Sequence, residues 1–349
     1  MMRKTTANKN EAKNITPRNK DFSQWYLDVI ETADLAEHAP VKGTMIIKPH
    51  GYAIWELIQK NLDEKIKKTG VVNAYFPLLI PEHFLRKEKE HIKGFSPEIV
   101  AAIYAGGKRL KEALIIRPTS ETIIYDAFSR WVRSHNDLPI LINQWANIVR
   151  WEIRPRLFLR STEFLWQEGH TAHTNLEEAD QRARMMLEVY KKFVEDFLAI
   201  SVVAGQKTDK EKFAGAYKTY AIEAMMQDGK ALQLATSHNL GFNFAKAFGL
   251  EFTNKDGETA FCAQTSWGLS TRTIGGIIMA HGDDIGLIIP PRVAPIQIVI
   301  VPIWPNEKEK NSINKVVSGL ETELRDNFRV KSDFEDSRPG EKFFRWERK

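Results

Sequence analysis

The stretch that decides the fold is residues 148–170, IVRWEIRPRLFLRSTEFLWQEGH. It joins two runs, 139–152 and 158–171, that are rich in apolar, β-branched and aromatic residues. Between them lies the basic segment Arg154-Pro155-Arg156, and proline suits a turn because its ring fixes φ. Two such runs around a turn predict a long antiparallel β-hairpin.

Three charged residues suggest a chemistry for this hairpin. Arg150 and Glu152 are two apart in one predicted strand, so their side chains share a face, and Arg160 is in the return strand. Arginines on one face can bind phosphate oxygens bidentately, and a carboxylate beside them can accept from an adenine amino group. An ordinary ion pair on a strand face fits the same residues, so the hairpin alone leaves both interpretations open.

The rest of the chain up to Arg292 mixes helices and strands. Apolar spacing and capping signals predict helices at 21–38, at 51–68, from Thr119, and after a capping box formed by Thr174 and Glu177. Strands are predicted at 71–80, 114–117, 200–205, 231–236, 258–267 and 273–281. Runs of strands interrupted by a few helices indicate an α+β fold, with an antiparallel sheet flanked by helices.

The composition indicates a globular protein of a reducing compartment. The 349 residues carry a net charge of +5, which suits an anionic partner without requiring one. The single cysteine, Cys262, excludes an internal disulfide and a cysteine-based zinc cluster, so we expect a cytoplasmic protein with no structural zinc. No window approaches the length of a membrane span, and residues 1–20 are expected to form a disordered basic arm.

A second unit is predicted to begin at residue 293, after Pro290 and Pro291. The run 296–301, apolar except for Gln297, is typical of a buried, parallel strand, and a helix at 307–325 and a strand at 328–332 follow. One βαβ unit with a short remnant is small for a domain. We therefore expect residues 293–349 to be an incomplete α/β domain.

Three segments together resemble a known family. The hairpin sequence quoted above resembles motif 2 of the class II aminoacyl-tRNA synthetases in its prolyl form, and the strand ending at Pro81 is similar to motif 1. The run TSWGLSTR at 265–272, followed by HGDD at 281–284 and PPR at 290–292, resembles motif 3. The motifs occur in the order of the family and cover most of residues 21–300, which would then be the class II catalytic domain, 21–292.

The resemblance implies an ATP site. Arg150 would hold the α-phosphate, Glu152 the adenine and Arg160 the outer phosphates. Arg272 would stack over the adenine, with Phe164 as the opposite ring and Phe158 as the alternative. The implied ATP-binding residues are Arg150, Glu152, Arg160, Phe164, Gln233 and Arg272, of which the three arginines are catalytic.

The resemblance also implies a proline pocket. Three segments resemble the prolyl branch, RPTSE at 117–121, WQEGH at 166–170 and QLATSH at 233–238. Thr119 and Glu121 would bind the substrate ammonium, because a buried carboxylate needs a cation, and Trp166 and His170 would wall the ring. The implied proline-binding residues are Thr119, Glu121, Trp166, Glu168, His170, Thr236, His238 and Ser266. Read alone, Thr119 would suit a helix N-cap and Glu121 the first turn of that helix.

The implied function is ATP-dependent activation of L-proline to prolyl-adenylate, with Mg²⁺, and transfer to tRNA(Pro). The motif 1 strand implies a homodimer, and residues 293–349 would begin an anticodon-binding domain. Too few residues separate 171 from 265 for an inserted editing domain, which implies the archaeal and eukaryote-like branch.

Two other interpretations remain at this point. A truncated, non-catalytic paralogue could keep the fold as a binding or dimerisation module, although the retained arginines argue against it. A class II synthetase for threonine, serine, glycine or histidine would share motifs 2 and 3 more loosely.

Overall fold

The computed structural model describes residues 15–91 and 99–349, so most of the predicted basic arm lies outside the described residues. The helices are α1 (Phe22–Thr32), α2 (Pro49–Lys67), α3 (Glu82–His91), α4 (Glu121–Trp131), α5 (Leu176–Phe197), α6 (Asn243–Phe248), α7 (Arg272–His281), α8 (Glu307–Arg325) and α9 (Pro339–Glu347). In these described parts of the chain, no helix is both long and apolar enough to cross a lipid bilayer.

The strands alternate with these helices in short groups. They are β1 (Ala36–His38), β2 (Met45–Ile47), β3 (Val72–Asn73), β4 (Leu79–Pro81), β5 (Val100–Ala105), β6 (Lys108–Ile116), β7 (Ile140–Val149), β8 (Glu163–His173), β9 (Val203–Gln206), β10 (Lys218–Met225), β11 (Ala231–Gly241), β12 (Glu251–Thr253), β13 (Thr259–Phe261), β14 (Ala263–Ser270), β15 (Ile298–Ile300) and β16 (Val330–Ser332).

A central sheet organises the first 292 residues. Within the described residues it has seven strands in the order β3-β7-β8-β14-β11-β10-β9. Every neighbouring pair is antiparallel except β3 with β7, which is parallel. Helix α5 packs against β10, β11 and β14, and α7 against β11 and β14. This architecture confirms the predicted α+β class with a mainly antiparallel sheet flanked by helices.

The predicted hairpin is present, but its strands are shorter than expected. Strands β7 and β8 pair from Ile140 opposite Ala172 to Val149 opposite Glu163. Arg150, Glu152 and Arg160 therefore lie in the long connection at 150–162 and not within the strands. The expectation that strand alternation places Arg150 and Glu152 on one face was wrong, because the ladder ends one residue before Arg150.

The predicted strand from Val71 to Ile80 is also wrong. The segment forms two short strands that belong to different sheets, with β3 beside β7 and β4 beside β6. Pro77 lies between them, where its missing N–H removes no ladder hydrogen bond. β3 is the outermost strand of the central sheet, and Pro77 belongs to neither β3 nor β4.

Helix α5 begins one residue later than the sequence suggested. The predicted capping box of Thr174 and Glu177 is replaced by Asn175, whose side chain accepts a hydrogen bond of 2.9 Å from the N–H of Glu178. Asparagine caps a helix at least as well as threonine does. In this structure it is the side chain of Asn175 that accepts the hydrogen bond from the first turn of the helix. The apolar stripe that predicted the helix is buried on the sheet, including Ala183, Tyr190 and Val194.

The segment from Thr273 to His281, predicted as a strand, is the helix α7. Its β-branched residues misled the prediction, because tertiary packing overrides propensity here. Two glycines let the helix approach the core closely. A Cβ on Gly275 would lie 2.5 Å from Cδ2 of Leu159 and 2.8 Å from the hydroxyl oxygen of Tyr26, and one on Gly276 would lie 2.9 Å from Cδ2 of Leu234.

Residues 15–20, expected as the end of a disordered arm, contact the first unit. The backbone N–H of Arg18 donates to Asp284 at 2.8 Å, and its guanidinium donates to the same carboxylate and to the carbonyl of Gly282 at 3.2 Å. The N–H of Thr16 donates to Asp28. The packed part of the chain therefore includes residues before the boundary predicted at residue 21.

The second unit has the parallel βαβ arrangement that the sequence predicted. Strand β15 pairs in parallel with β16, and α8 connects them over the predicted range 307–325. Arg329, just before β16, donates to the carbonyls of Ala294 at 2.8 Å, Arg292 at 3.0 Å and Pro291 at 3.1 Å. One guanidinium thus holds the connection between the two units in a fixed path.

The close approach at Gly275 gives a stability prediction. Gly275→Ala should lower the free energy of unfolding by about 1–3 kcal/mol, because Leu159 and buried Tyr26 must move to admit the methyl group. Thermal or denaturant unfolding measures the change. The matched control is Gly319→Ala in α8, where a Cβ meets nothing within 4 Å and alanine is the better helix former. An equally stable Gly275→Ala protein would contradict this account.

Candidate active site

A cavity of about 280 Å³ opens on one face of the central sheet. Its floor is formed by residues that the strand register aligns in rows. In one row His170 of β8 is opposite Ser266 of β14, Ser266 is opposite His238 of β11, and His238 is opposite Thr219 of β10. Because alternate residues of a strand share a face, four strands each contribute one side chain to this row.

A second row runs parallel to the first. Glu168 is opposite Gly268, and Gly268 is opposite Thr236. Gly268 has no side chain, so the floor stays open between the carboxylate on one side and the hydroxyl on the other. The two rows make the cavity polar at its centre, while Phe164 and Trp166 of the same strand as Glu168 supply aromatic walls.

Arg150 is fixed at one end of the cavity. Its Nε donates to the carbonyl of Pro118 at 2.7 Å, and its guanidinium carbon lies 5.6 Å from the ring centre of Phe164 and 5.5 Å from that of Trp166. These contacts immobilise the group while the remaining N–H donors stay available. Arg150 as a whole is solvent-exposed, but protein atoms surround its guanidinium group. This desolvation lowers the pKa of Arg150, and the negative charges of Glu121 and Glu168 partly offset the shift.

Arg272, the first residue of α7, is the second cation of the site. Its Nε donates to the carbonyl of Leu159 at 3.0 Å, and an Nη donates to that of Gln233 at 3.4 Å. Burial lowers the pKa of Arg272, and the positive charges of Arg150 and Arg160 lower it further. Cations that destabilise one another in this way create a site for an anion.

Arg160 and Glu152 lie outside the cavity. They line an adjacent groove together with Arg150, Trp151 and the start of the basic turn. The Nε of Arg160 is 3.6 Å from a carboxylate oxygen of Glu152, so the ion pair considered from the sequence is present. Arg150 lines both spaces and therefore marks the boundary between cavity and groove.

Two buried carboxylates also line the cavity. Glu168 is 2% exposed and accepts hydrogen bonds from Ser120 at 2.5 Å, Gln144 at 2.6 Å and the Nε2 of His170 at 3.0 Å. Burial raises the pKa of Glu168, but these interactions outweigh it and hold the pKa below its ordinary value. The group is a carboxylate at neutral pH.

Glu121 is the second of these carboxylates and is 4% exposed. The hydroxyl of Thr119 donates to it, so Thr119 is not the N-cap of α4 that its sequence position allowed. The N-cap is Ser120, whose hydroxyl is used by Glu168 instead. Both acidic side chains line the cavity, which therefore contains carboxylates as well as arginines.

The cavity contains most of the residues predicted for it. Those lining it are Thr119, Glu121, Arg150, Phe164, Trp166, Glu168, His170, Gln233, Thr236, His238, Ser266 and Arg272. Glu152 and Arg160 lie in the neighbouring groove. Phe158, the alternative to Phe164, is 2% exposed and packs in the hydrophobic core, so it does not reach the cavity.

One wall of the cavity is formed by residues that were not predicted from the sequence. Glu211 and Phe213, from the connection between β9 and β10, line it, as does Thr219 at the start of β10. The ring of Phe213 is 4.8 Å from that of His238. A polar connection of this kind has no distinctive pattern, and only the register of β10 with β11 places it over the floor.

Comparisons with known proteins show which proteins this chain is similar to. The model of the tRNA synthetase class II core domain (G, H, P, S and T) matches residues 104–281. A proline–tRNA ligase of Roseiflexus sp. (strain RS-1) is 56% identical over 96% of this chain and 70% of its own length. The chloroplastic/mitochondrial proline–tRNA ligase of Arabidopsis thaliana is 54% identical over 96% of this chain and 62% of its own length.

A solved structure is also similar. The prolyl-tRNA synthetase of Cryptosporidium parvum, in complex with halofuginone and AMPPNP, is 44% identical with a TM-score of 0.90, over 95% of this chain and 69% of that one. The chain belongs to the prolyl-tRNA synthetase family. It is an enzyme that activates proline with ATP and charges it to tRNA, and the family membership favours this function over a non-catalytic module. Because these relatives are proline–tRNA ligases, they also favour proline over threonine, serine, glycine and histidine as the substrate.

His173 lies three residues after His170 in the sequence but is not among the residues that line the cavity. His173 is 3% exposed, its Nε2 lies 2.7 Å from the hydroxyl of Thr171, and burial, with Arg182, lowers its pKa to about 4 while Glu178 opposes this. Within the described residues no three His, Cys, Asp or Glu side chains are grouped to hold a metal ion. His173 is thus a buried neutral histidine.

His173 should make the synthetase less stable in mild acid. Its pKa is about 4 when folded and 6.5 when unfolded, so between these values only the unfolded chain gains the proton. Lowering the pH from 7 to 5 should therefore cost about 2 kcal/mol of unfolding free energy through this residue. Denaturant unfolding at the two pH values should show a smaller loss for His173→Gln than for the native protein, and equal losses would contradict the assignment.

Proposed function

We propose that the cavity binds proline beside Glu121 and Glu168 and the α-phosphate of ATP at Arg150. The observation that carries the proposal is that one small cavity is lined by the carboxylates of Glu121 and Glu168 and by the guanidinium groups of Arg150 and Arg272. Proline has a secondary ammonium and a carboxylate on adjacent atoms. Its orientation is then set by charge, with the ammonium toward the carboxylates.

The carboxylates of Glu121 and Glu168 suit the ammonium group of proline. A buried carboxylate is costly unless it is paired, and Glu121 receives a hydrogen bond from Thr119 but faces a space large enough for a cation. Ser266 adds a hydroxyl that, among the described residues, has no hydrogen-bond partner although it is buried on the cavity floor. We assign Thr119, Glu121, Glu168, His170, Thr236, His238, Ser266 and Trp166 to the proline pocket.

The first chemical step needs alignment more than acid–base chemistry. The carboxylate of proline is already ionised, attacks the α-phosphorus, and pyrophosphate leaves with the bond electrons. Negative charge grows on the phosphoryl oxygens, and Arg150, held by Pro118 and the aromatic rings, is placed to stabilise it without reorganising. Binding both substrates beside this fixed cation lowers the entropic part of the barrier.

The rest of ATP is assigned to the groove beside Arg150 and to the adjoining part of the cavity. Arg160 would contact the outer phosphates and Glu152 the adenine, with Arg272 and Phe164 on the two faces of the ring and Gln233 nearby. The described residues contain no acidic cluster for a cation, so Mg²⁺ would enter with the ATP phosphates, which usually supply several of its ligands. The AMPPNP in the Cryptosporidium structure supports a nucleotide site in the family.

Further features are proposed for the whole chain. We assign 21–292 to the catalytic domain and 293–349 to an α/β unit that serves anticodon binding, supported by the parallel pair β15 and β16. Residues 174–262 form α5, β9–β13 and α6 without a separate inserted unit, which supports the eukaryote-like branch. A cytoplasmic location is supported by the buried, unpaired Cys262.

The chain is proposed to act as a homodimer through the motif 1 region. Val72 of β3 is 61% exposed and Tyr75 71%, and Leu79 of β4 is exposed as well. Val72 and Tyr75 place apolar surface at the outer edge of the central sheet, and Leu79 adds to it from the three-stranded sheet β4-β6-β5. A symmetric partner that covers this edge would remove both the apolar surface and the unpaired strand edge from water.

Replacing Arg150 tests the proposed site. Arg150→Ala should reduce proline-dependent pyrophosphate exchange by about 10²–10³ or more, because the variant lacks the fixed cation at the reacting phosphate. Circular dichroism should show an unchanged fold. The matched control is Arg156→Ala, an exposed arginine of the same connection that lines neither the cavity nor the groove, which should keep most of the exchange activity. Near-native exchange by Arg150→Ala would refute the assignment.

A charge at the sheet edge tests the dimer. Val72→Lys should shift the protein toward the monomer in sedimentation-velocity experiments, since a buried unpaired ammonium opposes association. Val316→Lys in α8 is the control, because Val316 is 63% exposed and lies in the second unit. If both variants sediment as the native protein does, the edge of β3 is not the interface.

A further inference from the structure

Thr219 stands out among the cavity residues because its contacts are complete before any substrate binds. It is 3% exposed and lies opposite His238 in the row of cross-strand neighbours that ends with β10. Its hydroxyl oxygen accepts a hydrogen bond of 2.9 Å from the backbone N–H of Phe213. The same oxygen is 2.9 Å from Nδ1 of His238.

These two contacts determine which ring nitrogen of His238 carries the proton. A hydroxyl has one hydrogen, and the N–H of Phe213 already donates to its oxygen. If Nδ1 were protonated it would also donate to that oxygen, and the buried hydroxyl hydrogen would lack an acceptor among the described residues. With Nδ1 unprotonated, the hydroxyl donates to it, and the hydroxyl, the N–H of Phe213 and Nδ1 are all satisfied.

The ring of His238 is neutral, so it carries a single N–H proton on one of its two nitrogens. Burial and the neighbouring His170 lower the pKa of His238 to about 3. A neutral ring accepts at one nitrogen and donates at the other, so the proton resides on Nε2. Among the described residues Nε2 has no hydrogen-bond partner in the structure, and the ring lines the cavity.

We infer that Thr219 is a positioning residue that holds His238 as the Nε2–H tautomer, so that the ring donates a hydrogen bond to a carboxylate oxygen of the amino-acid substrate. The inference rests on the proposed function of the cavity. Thr219 acts through His238 and needs no contact with the substrate itself.

The same hydroxyl also fixes the wall of the cavity. Phe213 is held by its backbone N–H, and its ring lies 4.8 Å from that of His238 at an interplanar angle of 32°. It also lies nearly parallel to the ring of Phe244, 6.5 Å away. Thr219 thus links the orientation of the histidine to the placement of the aromatic ring that covers it.

Two substitutions separate the hydroxyl from the shape of the side chain. Thr219→Val keeps the shape and removes the hydroxyl, whereas Thr219→Ser keeps the hydroxyl. In ¹⁵N-histidine NMR spectra without substrate, the native protein and Thr219→Ser should show His238 with a protonated Nε2 and an unprotonated Nδ1. Thr219→Val should show a mixture of tautomers, and His238→Gln identifies the signal. Thermal unfolding confirms that each variant is folded.

Pyrophosphate exchange then connects the tautomer to the substrate. Thr219→Val should raise the KM for proline about tenfold and leave that for ATP nearly unchanged, with recovery in Thr219→Ser. A protonated Nδ1 in the native protein, or an unchanged His238 signal in Thr219→Val, would overturn the inference. A shifted tautomer with an unchanged proline KM would overturn only the link to the substrate. A native protein without proline-dependent exchange would refute the proposed function and leave the tautomer result valid.

Discussion

The hydrogen-bond register of the central sheet is the constraint on which the site depends. Strands β8, β14, β11 and β10 come from separate parts of the chain, yet their pairing places His170, Ser266, His238 and Thr219 in a single row. A slip of one residue in any pair would turn these side chains to the opposite face. The cavity therefore depends on how these strands pair, and no single sequence motif contains all of its residues.

The register also explains how a small cavity holds charges of both signs. The donors to Glu168 come from the start of α4, from β7 and from its own strand, so the carboxylate is satisfied by the fold before a ligand arrives. Arg150 is held by a carbonyl and two rings in the same way. Because both groups are preorganised, substrate binding does not have to order them.

Much of this was accessible from the sequence, and the failures have physical causes. The α+β class and the twelve cavity residues followed from motifs whose residues the strands bring together. The strand predicted at 273–281 failed because β-branched residues also suit a buried helix when glycines permit close packing. Glu211, Phe213 and Thr219 were missed because their role depends on pairing between β10 and β11, which a single sequence does not reveal.

The glycine at position 169 shows how the two faces of the sheet are divided. It lies opposite Trp267, and a Cβ there would lie 2.0 Å from the indole ring, so the tryptophan fills the space that a side chain would take. Its neighbours in the strand, Glu168 and His170, face the cavity. Substrate contacts and core packing therefore fall on alternating positions of the strand. Substitutions at Phe164, Trp166, Glu168 and His170 would change the specificity of the pocket and leave the opposite face of β8 as it is.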